Sequence, residues 1–412
     1  MAQLNITLNQ EEILQLLSND RNEVFRKLLE SSLNSVLKAE SQEQLKAHPY
    51  ERTLDRTDSR NGSRERKLQT RIGTITLNVP RHRNQPFKTM LFDNYSRSEA
   101  ALISTMSEMV VHGVSTRKVS QIVETLCGTS VSKSAVSEVC KDLSREVEDF
   151  RNRPLTGPYP FLTIDATYFK VRENHRVISK ALMIAYGTNA QGHREVLGFE
   201  TYPCESADTW TQFLAGLKKR GLTGLLMITS DAHEGILHGI SKIFPAVPWQ
   251  HCQVHFNRNI TDKAPKAYQA GLRSELFEMF SSKTIEEARK KRDEIINDYK
   301  EIAEKAMECL DEGFENAMTA MIMPGRIRQA CRTTNHLERL NRELKRRSKV
   351  IGIFPNVDSI IRLMGSLLIE HSNVQQSRTA MFSKETYKNL IQSDIPENLV
   401  RIAEEQKALL AA

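Results

Sequence analysis

Residues 161–170, Phe-Leu-Thr-Ile-Asp-Ala-Thr-Tyr-Phe-Lys, constrain the fold more than any other stretch of this 412-residue chain. β-Branched and aromatic residues dominate it, and Pro158 and Pro160 precede it as breakers, so it reads as a strand. Alternate residues of a strand share a face. Leu162, Ile164 and Ala166 therefore lie on one side, and Thr163, Asp165, Thr167 and Phe169 on the other. One carboxylate sits in the middle of the strand, and the only other charge is Lys170 at its end. Burying it unpaired costs several kcal/mol, so Asp165 needs donors, a cation or a metal. A structural aspartate bound by donors satisfies that need as well as a catalytic one does.

The residues that follow narrow the choice. Arg176 to Gly187 and Glu195 to Tyr202 read as two further strands, joined by a turn at 189–192. Three strands in succession imply an antiparallel meander. A helix is expected from Ala207 to Lys219, with Trp210, Phe213, Leu214 and Leu217 inward. Leu225 to Ser230 reads as a buried strand ending at Asp231, and a helix is expected from about Ile236 to Ile243. Trp249 to Cys252 reads as a short strand leading into another helix. The order β-β-β-α-β-α-β-α resembles the ribonuclease-H-like fold, in which the first strand lies beside the fourth. Asp165 and Asp231 would then meet across neighbouring strands, at strand ends of the kind where α/β sheets bind ligands.

On the amino-terminal side, residues 10 to 48 carry an amphipathic stripe from Ile13, Leu16 and Leu17 through Phe25, Leu28, Leu29, Leu33 and Leu37, suited to packing or dimerisation. From Tyr50 to Pro86 the composition turns to Arg, Asp, Ser, Asn and Gly, with Asn61-Gly62 as a turn signal and Ile72 to Val79 as a short strand. Ten Lys or Arg stand against four Asp or Glu between Glu51 and Lys88, which suits a basic arm following a phosphate backbone, or a linker. Within 98–148, Val119, Ile122, Val123 and Leu126 form one helix face, ended by Gly128. Ser132 or Ser134 caps a second helix with Val136, Val139, Cys140 and Leu143 inward. Lys133, Ser134, Ser137 and Lys141 then lie outward, as in a helix-turn-helix.

Beyond the last strand, 262 to 313 is helical and charged, with a seam of Leu272, Leu276, Met279 and Phe280 that is a second candidate dimer surface. It reads as an all-α insertion. Asn335 can cap the next helix, whose packed face is Leu337, Leu340 and Leu344. Six basic residues and two glutamates lie between Glu338 and Lys349, an excess that points to a polyanion. Three acids, Asp165, Asp231 and Glu338, offer hard oxygen ligands of the kind Mg²⁺ and Mn²⁺ prefer. Three converging acids can hold two such ions about 4 Å apart for in-line phosphoryl transfer, and would repel one another without them. Glu343 competes as the third acid but lies on a different helix face.

Three segments carry a family resemblance: Thr163-Ile164-Asp165-Ala166, Ser230-Asp231-Ala232-His233, and Thr334-Asn335-His336-Leu337-Glu338-Arg339-Leu340-Asn341. They resemble the three acid motifs of bacterial insertion-sequence transposases related to the Mutator element. Cys252-Gln253-Val254-His255, with Arg258 and Asn259, is similar to that family's Cys-x-x-His signature. The resemblance covers nearly the whole chain and implies Asp165, Asp231 and Glu338 as ligands of two Mg²⁺ or Mn²⁺ ions. It also implies Arg339, Arg342, Arg346 and Arg347 as contacts to DNA phosphates. Cys252, His255, Arg258, Asn259 and Asn335 are expected to support the site. Zinc on Cys252 and His255 would want a second Cys/His pair, and none accompanies them.

The expected organisation is an α/β chain. It comprises a helical segment at 1–49, a basic arm at 50–97 and a helix-turn-helix at 98–150. A ribonuclease-H-like catalytic domain at 157–261 and 326–375 is split by the all-α insertion at 262–325, and a tail follows at 376–412. The six cysteines show no C-x-x-C spacing, and no apolar run approaches the roughly 18 residues of a membrane span. A cytoplasmic protein is therefore expected, and the resemblance implies a bacterial one associated with the nucleoid. By resemblance it is a transposase that cuts and joins double-stranded DNA, element ends and target, as a homodimer. A non-cutting DNA-binding regulator and a nuclease without strand transfer are the alternatives.

Overall fold

The structure is a computed structural model that describes residues 21–51, 53, 56–70, 73–89, 100–111, 114, 116–127, 133–349 and 351–411. Its chain divides into two units, Met1–Asp142 and Leu143–Ala412. In the first unit, helix α1 (Arg21–Leu45) packs on an antiparallel hairpin of β1 (Arg60–Thr70) and β2 (Gly73–His82). Leu29, Leu33 and Leu37 meet Leu68, Ile75, Leu77 and Val79. This part of the expected dimerisation stripe is thus covered by the chain's own hairpin, while Phe25 remains exposed; Ile13, Leu16 and Leu17 lie outside the described residues. The Asn61-Gly62 pair is not a turn. It sits inside β1, where Gly62 takes φ 73 and the register slips between Arg60 and Ser63, as a glycine bulge requires.

Helices α2 (Ala100–Val111), α3 (Thr116–Cys127) and α4 (Lys133–Asn152) follow. Val119 and Val123 of α3 and Val136, Val139 and Cys140 of α4 are buried, as the spacing predicts. Ser134 falls inside α4 rather than at its cap, since the helix already begins at Lys133. Gly128 and Ser132 lie outside the described residues.

The second unit is built on a five-stranded mixed sheet with strand order β5-β4-β3-β6-β7. Strands β3 (Phe161–Glu173), β4 (Arg176–Thr188) and β5 (Arg194–Tyr202) form the expected meander. Asn174 and His175, both at positive φ, make a two-residue hairpin turn between β3 and β4. Strands β6 (Met227–Ser230) and β7 (Trp249–His251) add in parallel on the other side of β3. One face of the sheet packs Leu162, Ile164, Met183, Leu197 and Ile228 against α5 (Ala207–Lys219) and α6 (Glu234–Ile243) through Trp210, Leu214, Ile236 and Ile240. The opposite face of β3 and β6 sets Phe161 and Met227 against the segments around Met323, Ile327 and Cys331. Helix α5 has the bounds and the four inward residues read from the sequence, opened by a Ser206–Thr209 capping box.

Helix α7 (Gln253–Asp262) leads into an all-helical segment of α8 (Gln269–Phe280), α9 (Ile285–Tyr299) and α10 (Glu304–Met318). The seam of Leu272, Leu276, Met279 and Phe280 is not an oligomer surface. It is buried in this segment's own core with Phe256, Ile260, Leu310 and Phe314. Helices α11 (Gly325–Cys331) and α12 (Asn335–Ser348) return to the sheet, and α13 (Val357–Gln376) covers β5. The 376–412 stretch is helical in its turn, as α14 (Lys384–Gln392) and α15 (Ile395–Ala411), with Leu390 and Leu399 buried. Gln406 of α15 occupies the outer edge of β7, accepting from Trp249 N and donating to Trp249 O, each at 2.8 Å. An unpaired strand edge is thereby closed.

Candidate active site

Parallel pairing of β3 with β6 matches Phe161 to Met227, Leu162 to Ile228 and Thr163 to Thr229. Asp165 and Asp231 each lie two residues beyond the last matched pair, at equivalent positions of neighbouring strands. Asp231 directly follows the last residue of β6, close enough for its charge to act on Asp165. Asp165 is half-buried. Its Oδ1 accepts from Ala166 N at 2.9 Å and its Oδ2 from Asn341 Nδ2 at 2.7 Å. Burial first, and then the charge of Asp231, push the Asp165 carboxyl up to about 7. The Asp231 Oδ1 accepts a long bond from His233 N, and His233 in turn caps α6 through its ring nitrogen.

Helix α12 carries the third acid over this strand pair. Leu337, Leu340 and Leu344 are its buried face, as spaced in the sequence, and Asn341 is buried with them. Asn335 is the first residue of the helix rather than its cap. Thr334 takes the cap position and turns its hydroxyl and backbone N to the Cys252 sulfur, both at 3.3 Å. Glu338, one turn on, meets His255 Nε2 at 3.3 Å. Contact with the Cys252 sulfur raises His255 to about 9 against the opposing effect of burial, and the charges of Glu338 and Asp231 add to this. These contacts favour the protonated ring of His255. Glu343, the competing acid, is held instead by Arg346 and Arg347, which lower it to about 2.

Among the described residues, the metal-capable atoms of Cys252, His255 and Glu338 lie within 4.8 Å of one another, and Asp165, Asp231 and Glu338 form no such group. Acids serving two ions about 4 Å apart need not approach one another so closely. The donor chemistry fits a hard divalent cation: two carboxylates on adjacent strands, a raised Asp165, and a buried Asn341 Oδ1 without a hydrogen-bond partner. The fully buried Cys252 thiol is engaged by Thr334 and links α12 to the start of α7. Asn341, the last residue of the third acid motif, also belongs here, as does Glu205, which was not singled out in the sequence. Burial raises Glu205 above the usual carboxylate range, and Asp231 adds to the effect. Asn341 had a signal, since it lies three residues after Glu338, on the same side of α12. Glu205, in the loop before α5, had none.

The remaining candidates spread outward. Arg339, Arg342 and Arg346 are exposed on α12, and Arg347 is half-buried. Arg258 and Asn259 are exposed on α7. In the first unit, Ser137 and Lys141 are exposed on α4, while the side chains of Lys133 and Ser134 lie outside the described residues.

Residues 1–377 match the family model described as "Transposase, Mutator family". The chain belongs to the Mutator family of transposases. The transposase for insertion sequence element IS256 in transposon Tn4001 of Staphylococcus aureus is 42% identical over 374 residues, covering 90% of this chain and 96% of that one. The transposase for ISRM5 of Rhizobium meliloti is 38% identical over 359 residues, 87% and 90% of the two chains. That for IS1081 of Mycobacterium tuberculosis is 37% identical over 350 residues, 84% of each. No described helix of this Mutator-family chain is long and apolar enough to cross a membrane.

Proposed function

We propose that the chain is a DNA transposase whose catalytic domain is ribonuclease-H-like and whose acids are Asp165, Asp231 and Glu338. It binds the ends of its element, hydrolyses a phosphodiester to leave a 3′-hydroxyl, and directs that hydroxyl at a phosphate of target DNA. Both steps are phosphoryl transfers. The observation that carries this reading is the equivalent position of Asp165 and Asp231 on adjacent parallel strands, with α12 laid over them. Held by the three acids, Mg²⁺ or Mn²⁺, two ions by the number of acids, would neutralise charge on the phosphate and lower the pKa of water.

The chain's own residues prepare the site. Asn341 fixes one Asp165 oxygen and leaves the other side of the carboxylate to its neighbours. The His255 imidazolium balances part of the negative charge around Glu338. Exposed Arg339, Arg342 and Arg346 on α12 offer guanidinium groups to the DNA backbone, and Ser137 and Lys141 on α4 suit contact with the element end. A homodimer on DNA follows from the chemistry, since two ends must be cut and joined.

The experiment uses a labelled duplex carrying the element end, with Mg²⁺. Asp165→Asn, Asp231→Asn and Glu338→Gln each keep size but remove the charge a cation needs. Each is expected to abolish cleavage and to retain end binding. Near-normal cleavage by any one variant removes that residue from the set, and full activity in excess chelator overturns the metal chemistry.

A further inference from the structure

A groove of about 460 Å³ lies between α7, the end of α8 and the turn into α12. Its lining includes Arg258, Arg273 and Arg332, and no aspartate or glutamate. Among the described residues, none of these three guanidiniums has a carboxylate within ion-pair distance, and Arg332 reaches only the Phe280 carbonyl at 3.3 Å. Arginines elsewhere in the helical segment are paired: Arg289 with Glu315, and Arg292 with Asp293 and Asp311. The groove also holds Phe277, the one large apolar side chain of α8 that turns outward, 66% exposed while Leu276, Met279 and Phe280 beside it are buried. Three uncompensated cations around an exposed aromatic ring are a complementary surface for a phosphate joined to a flat base.

The groove and the acids share two elements. On α7, His255 faces Glu338 while Val254 and Arg258 face the groove. On α12, Asn335 lines the groove and Glu338 follows three residues later, a rise of about 4.5 Å. The groove therefore adjoins the helix turn that carries Glu338. A paired base hides its faces in the stack, and only an unpaired one can lie on a side chain.

We propose that this groove binds a single unpaired nucleotide next to the bond being cut, with its phosphate on Arg258, Arg273 and Arg332 and its base against Phe277. This rests on the transposase reading and adds a substrate feature to it: local strand opening at the element end.

The test compares the full-length chain on two probes, a paired element-end duplex and the same duplex with a short unpaired tail carrying 2-aminopurine. The tailed probe is expected to bind about tenfold more tightly, from one base stacked on an aromatic ring, with its fluorescence changed on binding. Phe277→Ala should bring the ratio of affinities close to one, and Phe277→Trp should keep it. Arg273→Ala should weaken binding of the tailed probe and lower its salt slope by about one phosphate contact. Both positions are exposed, and unchanged thermal unfolding of the variants confirms folding. Equal affinity of the wild type for the two probes, or a ratio that persists in Phe277→Ala, overturns the proposal. Cleavage of the paired end in Mg²⁺ is measured on the same preparation. A chain that cuts but ignores the tail refutes this groove alone, and one that prefers the tail but never cuts refutes the transposase reading.

Discussion

Removing the charge of Asp165 should stabilise the metal-free protein while disabling it. The unfolded carboxyl ionises near its ordinary 3.8, and the folded one near 7. Between those values the folded state holds a proton that the unfolded state lacks, so stability falls as pH rises and the full penalty stands above pH 7. The gap corresponds to about 4 kcal/mol at 1.36 kcal/mol per pH unit. Asp165 retains some exposure, and solvent screening reduces this to about 2–4 kcal/mol. Asp165→Asn should therefore match the wild type near pH 4 and exceed it by that amount at pH 8 in chelator. Added Mg²⁺ should narrow the difference by stabilising only the wild type. Urea unfolding followed by tryptophan fluorescence reads this locally, because the only two tryptophans, Trp210 of α5 and Trp249 of β7, pack into the core between the sheet and its helices. His255, raised to about 9, contributes stability that is fully present below 6.5 and lost as pH rises through 9. Both proteins carry it, so it largely cancels in the comparison. If Asp165→Asn is no more stable than the wild type at pH 8 without metal, the strained-carboxylate reasoning is wrong.

Two further substitutions probe the supports of the site. Asn341→Leu keeps approximate volume but removes the donor to Asp165, a hydrogen bond to a charged group worth about 1.5–3 kcal/mol; strand cleavage should drop at least tenfold with end binding retained, and unchanged cleavage rates would remove Asn341 from the site. Cys252→Ala strands the Thr334 backbone N and leaves its hydroxyl only the 3.5 Å contact with Glu338 Oε1, which should cost about 1–3 kcal/mol in urea unfolding; a fully stable variant would mean that the thiol ties nothing.

Much of the second unit was legible because its signals are local. Helix α5 is framed by a capping residue and four apolar residues on one face, and the Asp165 strand announces itself by alternation after two prolines. The position of Asp231 followed from a short β-branched run ending in an acid. What escaped depends on partners distant in sequence. The Leu272–Phe280 seam is the same stripe whether it faces another molecule or its own segment, and only Phe256 and Phe314 decide which. Asn61-Gly62 has the residues of a turn, and the pairing across β2 makes it a bulge. The contact of Asn341 with Asp165 is set by the docking of α12, which no spacing within either segment reports.

That contact also carries a time. Asp165 and Asn341 are separated by 176 positions, and at synthesis rates of about 5–20 residues per second they leave the ribosome roughly 10–35 s apart. The sheet can form from the first half of the unit alone, but its central aspartate then has neither its amide partner nor the glutamate. A chain interrupted anywhere before α12 is therefore a sheet without a working centre. On the proposed reading, activity is reserved for copies synthesised through α12.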